Sequence, residues 1–494
     1  MSAASWHDKA AGVTAEARAF IHGEYVDAAA GATFASVDPR RGRTLAQVAA
    51  GDSEDVDRAV RSARRAFEAG VWSQCHPRER KRVLRALTGS LLEHRDELAL
   101  LITLEMGKPI RDALGEIESS ARELGFFAEA VDKVYGDVVP TAPDALGMAT
   151  REPIGVVGAV TPWNFPVMMP LYKFAPALAA GNSVVVKPAE QASLAMIRVA
   201  GLASAAGVPD GVLNVVPGAG ETAGRALGLH GDVDVLAFTG STAVGKKFLR
   251  YAADSNMKAV WLECGGKSPN VVLADAPDLD RAAVFAAEAI FHGAGEVCNA
   301  GSRLLVDAAI YDDFVARLLV ERERWLPGDP LDEATRMGPL VDRDLFTRVL
   351  DYVGVGVNEG AALAAGGVAA LTDSGGYYVE PTVFTGVDAD MRIAREEIFG
   401  PVLATIALRG ADDAAQVAND TVYGLAAAIW TSDLRRAHRL ARRLKAGSVY
   451  VNTYDRGDNS LPFGGWKQSG IGVDRSLHAL EKYTHLKSIW IDLS

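Results

Sequence analysis

Between about residues 153 and 264 short apolar runs recur, Ile154 to Val160, Val184 to Val186, Val212 to Val216 and Val235 to Phe238, each followed by a segment long enough for a helix. Runs that are apolar throughout, rather than alternating, must be covered on both faces. Strands covered on both faces and joined through helices belong to a parallel sheet. A second set of strands is expected near Asn270 to Leu273, Arg303 to Val306 and Val402 to Ala407. The fold class this implies is α/β with two parallel-sheet, Rossmann-like domains. The first 130 residues read as helix-rich: Ser53 is placed to cap a helix in which Val56, Val60, Ala63 and Phe67 recur at helical spacing, and a second helix is expected from about Arg78 to Met106. Two pieces fit neither sheet, roughly 131–152 and the tail from about 475. In the tail Lys487 to Leu493 alternates polar and apolar residues, as a half-buried strand would.

A length of 494 residues allows about three domains with ample core. The 49% hydrophobic and 23% charged composition is that of a globular chain. The net charge of −12 argues against nucleic acid and anionic membrane as partners, since both reward a basic surface. Three cysteines, Cys75, Cys264 and Cys298, are too few and odd in number for a disulfide framework. No run of about 18 apolar residues occurs, and Met1 to Lys9 lacks the basic and apolar regions of a signal peptide. A cytoplasmic location is the expectation. The nine His residues form no H-E-x-x-H site and the cysteines no C-x-x-C site, so no catalytic metal is expected.

Gly295-Glu296-Val297-Cys298 places a thiol between a helical run, Ala282 to Phe291, and an apolar run, Leu304 to Val306. A lone cysteine is ordinarily core. This one has company: Trp261-Leu262-Glu263-Cys264-Gly265-Gly266-Lys267-Ser268-Pro269 supplies a carboxylate, and Thr161-Pro162-Trp163-Asn164-Phe165-Pro166 supplies a side-chain amide. Nucleophile, base and oxyanion donor are the three parts that acyl chemistry at a carbonyl requires.

These segments resemble the aldehyde dehydrogenase superfamily, as do Phe238-Thr239-Gly240-Ser241-Thr242, Glu396 to Pro401 and Pro462 to Gly465, all in the family's order. Arg443 to Val449 and Ser476 to Tyr483 are closer still to the γ-glutamyl-γ-aminobutyraldehyde dehydrogenase branch, which acts in polyamine catabolism. The resemblance implies NAD-dependent oxidation of an aldehyde to its acid. Cys298 is then the nucleophile, Glu263 the base, Asn164 with the Cys298 N–H the oxyanion hole, and Lys173 a helper near the centre. The small-molecule substrate is an amino- or γ-glutamylamino-aldehyde, with a broad aldehyde range or CoA-acylating chemistry as alternatives. The implied division is an NAD-binding domain (1–130 and 153–264), a catalytic domain (265–464), and a β arm (131–152 and 475–494) that joins subunits into a dimer or tetramer. An ordinary edge strand is the other reading of the arm.

For the cofactor, Lys187 and Glu190 follow a strand, and the matching family residues hold the adenosine ribose. A carboxylate there accepts from a 2′-hydroxyl and repels a 2′-phosphate, which favours NAD over NADP. Gly220 and Gly224 form a G-x-G-x-x-x-G turn with Gly218. Thr161, Pro162, Trp163, Phe238, Thr239, Gly240, Ser241, Gly245 and Leu262 complete the implied dinucleotide site, with Glu397 and Phe399 at the nicotinamide end. Gly240 to Lys246 satisfies all of the P-loop pattern except its last letter, which is Lys247. Without a hydroxyl there Mg²⁺ loses a protein ligand, and an ATPase or a non-catalytic binding protein is the remaining reading of another class. Phe165, Met168, Tyr172, Phe291, Tyr454, Asp455 and Phe463 are expected to line the substrate tunnel. Glu296 is expected to raise the Cys298 thiol pKa through its charge, and Cys264 to be open to oxidation or to pairing with Cys298.

Overall fold

In the computed structural model, which describes residues 5–494, the strand Val156–Val160 lies at the middle of an eight-stranded sheet. On one side of it run Ser183–Lys187 and Leu213–Val215, and on the other Val235–Thr239 and Ala259–Glu263, all parallel. Three short strands add antiparallel edges: Ala19–Ile21 and Glu24–Val26 at one side, Gly470–Ile471 at the other. The central strands are buried along their whole length, as their uninterrupted apolar runs require. Met1 to Ala4, part of the segment read for a leader, lie outside the described residues.

A second, seven-stranded sheet runs in the order Ala362–Ala365, Thr382–Thr385, Val402–Leu408, Arg303–Asp307, Pro269–Val272, Ala426–Trp430, Ser448–Val451. Only its first strand is antiparallel. Away from both, Thr484–Asp492 pairs over its full length with Ala145–Pro153, which also pairs with Asp137–Val139. Val138, Leu486 and Trp490 leave that small sheet with large apolar side chains in solvent. The α/β class with two largely parallel sheets and a separate β element is therefore the observed architecture. Among the described residues no helix is long and apolar enough to cross a membrane.

Three local expectations are corrected. The helix Ser53–Glu68 is capped by Asp52, not Ser53: Asp52 accepts from the Glu54 N–H at 2.8 Å, and Asp55 returns a bond to the Asp52 N–H at 3.2 Å. The long helix expected from Arg78 to Met106 is two, Pro77–Glu93 and Arg95–Met106. They are separated at His94, whose ring Nδ1 lies 2.9 Å from the Ser90 carbonyl oxygen and whose backbone leaves helical geometry. The first 130 residues also hold strands, including the hairpin of Thr33–Asp38 with Arg43–Ala49.

Candidate active site

From Val156–Val160 the chain builds the first sheet outward in one direction, then returns to place Val235–Thr239 on the other flank. The crevice where strand order reverses, beyond the carboxyl ends, is where open α/β sheets bind ligands. Thr161 and Thr239 stand at those two strand ends, and both hydroxyls are buried without a partner. Two orphaned donors at a switch point fit a polar ligand, since buried hydroxyls are otherwise satisfied. Around the crevice Lys187 pairs with Glu190 at 2.9 Å, the lysine buried and the carboxylate half-exposed. Ser241 caps the twelve-residue helix Thr242–Ala253, so its free N–H groups face the same side. Gly220 has open space around its Cα, as a surface approached by a ligand needs. The side chains of Phe238 and Leu262 pack inward instead, Phe238 against Phe248 with ring centres 5.0 Å apart, so only their backbones border the crevice. Gly224 is buried inside a helical turn. Lys246 donates to Gln468 at 2.9 Å and Lys247 to Glu221 at 2.6 Å. The P-loop look-alike thus has both lysines committed elsewhere.

Glu263 ends the strand Ala259–Glu263, and the chain then crosses to the second sheet through Gly265 and Gly266. Both crossings are tight. A Cβ on Gly266 would sit 2.6 Å from the Cys298 carbonyl oxygen, and one on Gly265 would strike the Glu397 carboxylate. Glu397 accepts from the Gly266 N–H at 3.1 Å. Cys298 arrives from the other direction: the helix Leu279–Phe291 unwinds into Gly293, Ala294 and Gly295, all at positive φ. Gly295 has no alternative, because a Cβ there would lie 2.2 Å from the Gly400 carbonyl oxygen. This left-handed turn lifts the thiol off the helix and leaves it part-buried in the lining of a cavity of about 930 Å³.

Asn164 Nδ2 donates to the Glu296 carbonyl oxygen at 2.7 Å, two residues before the thiol, and its own Oδ1 has no partner. Both Glu263 carboxylate oxygens are likewise buried and unpartnered. Burial pushes the Glu263 carboxyl far above its ordinary value, Asp474 adds to this, and Lys173 and Lys482 offset part of it. Lys173 and Lys482 each form a buried ion pair with one oxygen of Asp474. Burial raises the Cys298 thiol, and the carboxylates of Glu397, Glu263 and Asp455 raise it further, while the Asn299 N–H works the other way.

Glu296 does not act as its position in the sequence implied. Its carboxyl turns away from the thiol, accepts from the Val341 N–H at 3.0 Å and the Trp163 indole at 3.3 Å, and is pushed up to about 8 by burial. A carboxyl of that kind is mostly neutral at pH 7, and the thiol responds to Glu397, Glu263 and Asp455 instead. Cys264 is buried in the apolar cluster under Gly245, with burial raising its thiol to about 12, so it lacks the thiolate that oxidation or pairing requires.

Phe165, Met168, Tyr172, Asp455 and Phe463 line the Cys298 cavity. Phe291 does not. It ends its helix on the inner face, fully buried against Trp325, because the left-handed turn begins only after it. Tyr454 is also displaced: its hydroxyl donates to the Asn299 carbonyl at 2.6 Å, so it braces the segment behind the thiol rather than the cavity. Phe399, at φ 62°, packs edge-to-face on Trp163.

A buried pair absent from the sequence reading supports Asn164. Lys108 and Glu116 form an ion pair with both side chains nearly inaccessible. Lys108 donates to the Asn164 carbonyl at 2.8 Å and lies 3.8 Å from the Phe165 ring centre. Glu116 Oε1 accepts from the N–H groups of Val167 and Met168, both at 3.1 Å, and so holds the start of the helix Met168–Ala180. Nothing in the sequence marks this pair: Lys108 and Glu116 lie eight residues apart, and the helix Ile110–Ala130 that carries Glu116 holds several other charged residues.

Two α/β layers that meet at a switch-point crevice, with an unpartnered carboxylate at one sheet end and a thiol on a left-handed turn from the other, are the fold and site of a dehydrogenase that works on carbonyls. The chain belongs to the aldehyde dehydrogenase family, whose sequence pattern matches residues 25–489, and it is an enzyme that oxidises aldehydes. It is 52% identical over 491 residues to the NADP/NAD-dependent aldehyde dehydrogenase PuuC of Escherichia coli, a match covering 99% of this chain and 98% of that one. Among solved structures it resembles the γ-glutamyl-γ-aminobutyraldehyde dehydrogenase of Burkholderia cenocepacia, at 55% identity and TM-score 0.97 over 99% of both chains. The P. syringae indole-3-acetaldehyde dehydrogenase AldA, solved with NAD⁺ and IAA, is likewise 55% identical with TM-score 0.98 over 99% of both chains.

Proposed function

We propose that this protein oxidises an amino- or γ-glutamylamino-aldehyde to the acid with NAD, through a covalent adduct on Cys298. The observation that carries the reading is the company of the part-buried Cys298 thiol: Glu263, both of whose oxygens are buried and unpartnered, and Asn164, whose amide is tied to the backbone beside the thiol.

Glu263 accepts the thiol proton. It does so from its ionised form, whose share grows as pH rises; burial raises the proton affinity of that form toward that of the thiol and makes the transfer less uphill. The sulfur then adds to the aldehyde carbon, and the oxyanion that forms is met by the Asn164 Nδ2–H and the Cys298 N–H. NAD, when bound, supplies the acceptor for the hydride that leaves this adduct and so converts it to a thioester. Glu263 releases that proton to solvent and next takes one from water, whose oxygen attacks the thioester carbon; the carbon–sulfur bond breaks, the acid leaves, and the sulfur recovers the proton from Glu263. Lys173 and Lys482, both paired with Asp474, offset part of Glu263's rise, to which Asp474 itself adds. An unpartnered carboxylate suited to activating water favours hydrolysis over release to CoA.

For the cofactor, Lys187 and Glu190 are the residues that would hold the adenosine ribose, Thr161 and Thr239 would satisfy their hydroxyls on the dinucleotide, and Glu397 would take the nicotinamide ribose. The exposed apolar strip of the three-stranded sheet, with Trp490 and Leu486, suits an arm that pairs subunits into a dimer or tetramer.

The test is NADH formation over a panel of aldehydes, with Cys298→Ala beside the wild type. The variant should lose oxidation entirely yet bind NAD with unchanged affinity. Steady-state oxidation by Cys298→Ala above the buffer background would remove the thiol from the mechanism.

A further inference from the structure

One cation in the cavity wall has hydrogen-bonding capacity to spare. Arg475 directly follows Asp474, and its backbone, like that of Ser476, is held at positive φ, 60° and 53°. The bridge between Phe463 and Asp474 and the Ser476 N–H bond to the Asn459 carbonyl, 2.9 Å, fix this turn against the cavity loop. Arg475 therefore lines the cavity that holds Cys298, its guanidinium carbon 6.0 Å from the centre of the Tyr172 ring. Of the five N–H donors an arginine carries, one reaches Asn459 Oδ1 at 3.3 Å. Nε is buried without a hydrogen-bond partner, 3.7 Å from the Glu123 carboxylate. Glu123 is an incomplete counter-ion, since burial pushes its carboxyl up to about 7. Of the other cavity cations, Arg456 pairs with Glu288 at 2.9 Å, and Arg122, which donates to Ser119 at 2.7 Å, is exposed to solvent where Arg475 is largely buried. Asp455 is occupied as well, accepting from Asn299 at 2.8 Å and Tyr450 at 3.3 Å.

Resting on the reading of this cavity as the substrate site, we propose that Arg475 determines specificity by binding a carboxylate at the far end of the aldehyde, with Asp458 receiving an α-ammonium beside it. The preferred substrate then ends in a free α-amino-acid group, as a γ-glutamylamino-aldehyde does. A guanidinium fork matches a carboxylate in two parallel bonds. Asp458 lines the same cavity, and its carboxyl is held low by the Ser460 N–H, with Arg475 contributing, so it is charged in the working range. A tail bearing only a negative charge would be opposed by Asp458; a zwitterionic tail meets one partner of each sign.

The test compares kcat/KM for γ-glutamylaminobutyraldehyde, for the same aldehyde with its α-carboxylate converted to a carboxamide, and for hexanal. Wild type should prefer the acid over the carboxamide by roughly tenfold or more, mainly in KM, the range of a charge-assisted hydrogen bond. Arg475→Gln should shrink that preference to within about twofold and leave the carboxamide-to-hexanal ratio unchanged, while Arg475→Lys should keep part of it. Each ratio comes from one preparation and does not depend on the fraction folded. γ-Glutamylethylamide, which has the tail but no aldehyde, should also compete with hexanal in the wild type, a measurement that needs no variant. Equal use of acid and carboxamide by wild type, or an unchanged ratio in Arg475→Gln, would overturn the assignment. Binding of γ-glutamylethylamide to Cys298→Ala reads the tail site without chemistry, so a failure of the thiol mechanism remains distinguishable from a failure of Arg475.

Discussion

Removing the buried charge of Lys108 should damage both stability and catalysis, although the side chain is placed in no step of the reaction. Lys108→Met leaves Glu116 as a buried carboxylate with its two backbone N–H partners but no cation. Breaking a buried pair from one side typically costs about 3–5 kcal/mol. Glu116→Gln is damaging for the mirror-image reason: the new amide turns a donor toward the Lys108 ammonium, or withdraws its acceptor from Val167 and Met168. The double substitution removes both charges while nearly preserving volume, so it should be milder than either single, with a coupling of about 2 kcal/mol or more. The midpoint order in thermal melts, double above both singles, is the readout, because a chain of this size need not unfold in two states. Lys108→Met and the double variant lose the anchor on the Asn164 carbonyl, 2.8 Å from Lys108 Nζ in the wild type. Their kcat should fall by about tenfold, short of the 10² to 10³ expected for deleting an oxyanion donor outright. Single effects that simply add in the double, or a folded Lys108→Met with wild-type kcat, would refute the claim that this pair positions Asn164.

Two other outcomes follow from the electrostatics. Because both the Cys298 thiol and the Glu263 carboxyl are raised, the thiolate of the free enzyme grows with pH, and alkylation by iodoacetamide should keep accelerating past about pH 8.5, the ordinary thiol value; a rate already flat below about pH 7 would contradict this. Glu190→Gln should relax a wild-type preference for NAD over NADP by tenfold or less in the ratio of kcat/KM, since a half-exposed charge contributes only about 1 kcal/mol; a wild type that prefers NADP would remove the role given to Glu190.

The sheets were legible because their strands are apolar on both faces, a pattern that only a covered parallel sheet satisfies: Val235–Thr239 is buried at every position. The residues of the site were legible only together, since Cys298, Glu263 and Asn164 are each ordinary alone. Side-chain direction was not legible. Phe291 and Tyr454 sit close in sequence to cavity residues, but the positive-φ turn after Phe291 and the hydroxyl bond of Tyr454 to Asn299 send both elsewhere. Glu296 was misread for a similar reason: its charge is removed by burial and by partners at Trp163 and Val341, far along the chain. Asp52 and Ser53 are adjacent residues both competent to cap, and only the reciprocal bond from Asp55 decides between them. The Lys108–Glu116 pair acts across more than fifty residues on Asn164 and Val167, a separation at which sequence pattern carries no signal.

The account turns on one covalent intermediate, released by Glu263. Intact-protein mass spectrometry of Glu263→Gln, quenched shortly after mixing with NAD and an aldehyde, measures it directly. A mass increase equal to the acyl group, mapped to the Cys298 peptide and absent in the Cys298→Ala, Glu263→Gln double variant, is the predicted result, alongside slow turnover. An unmodified Cys298 peptide in a Glu263→Gln enzyme that turns over at the wild-type rate would contradict the roles of both residues.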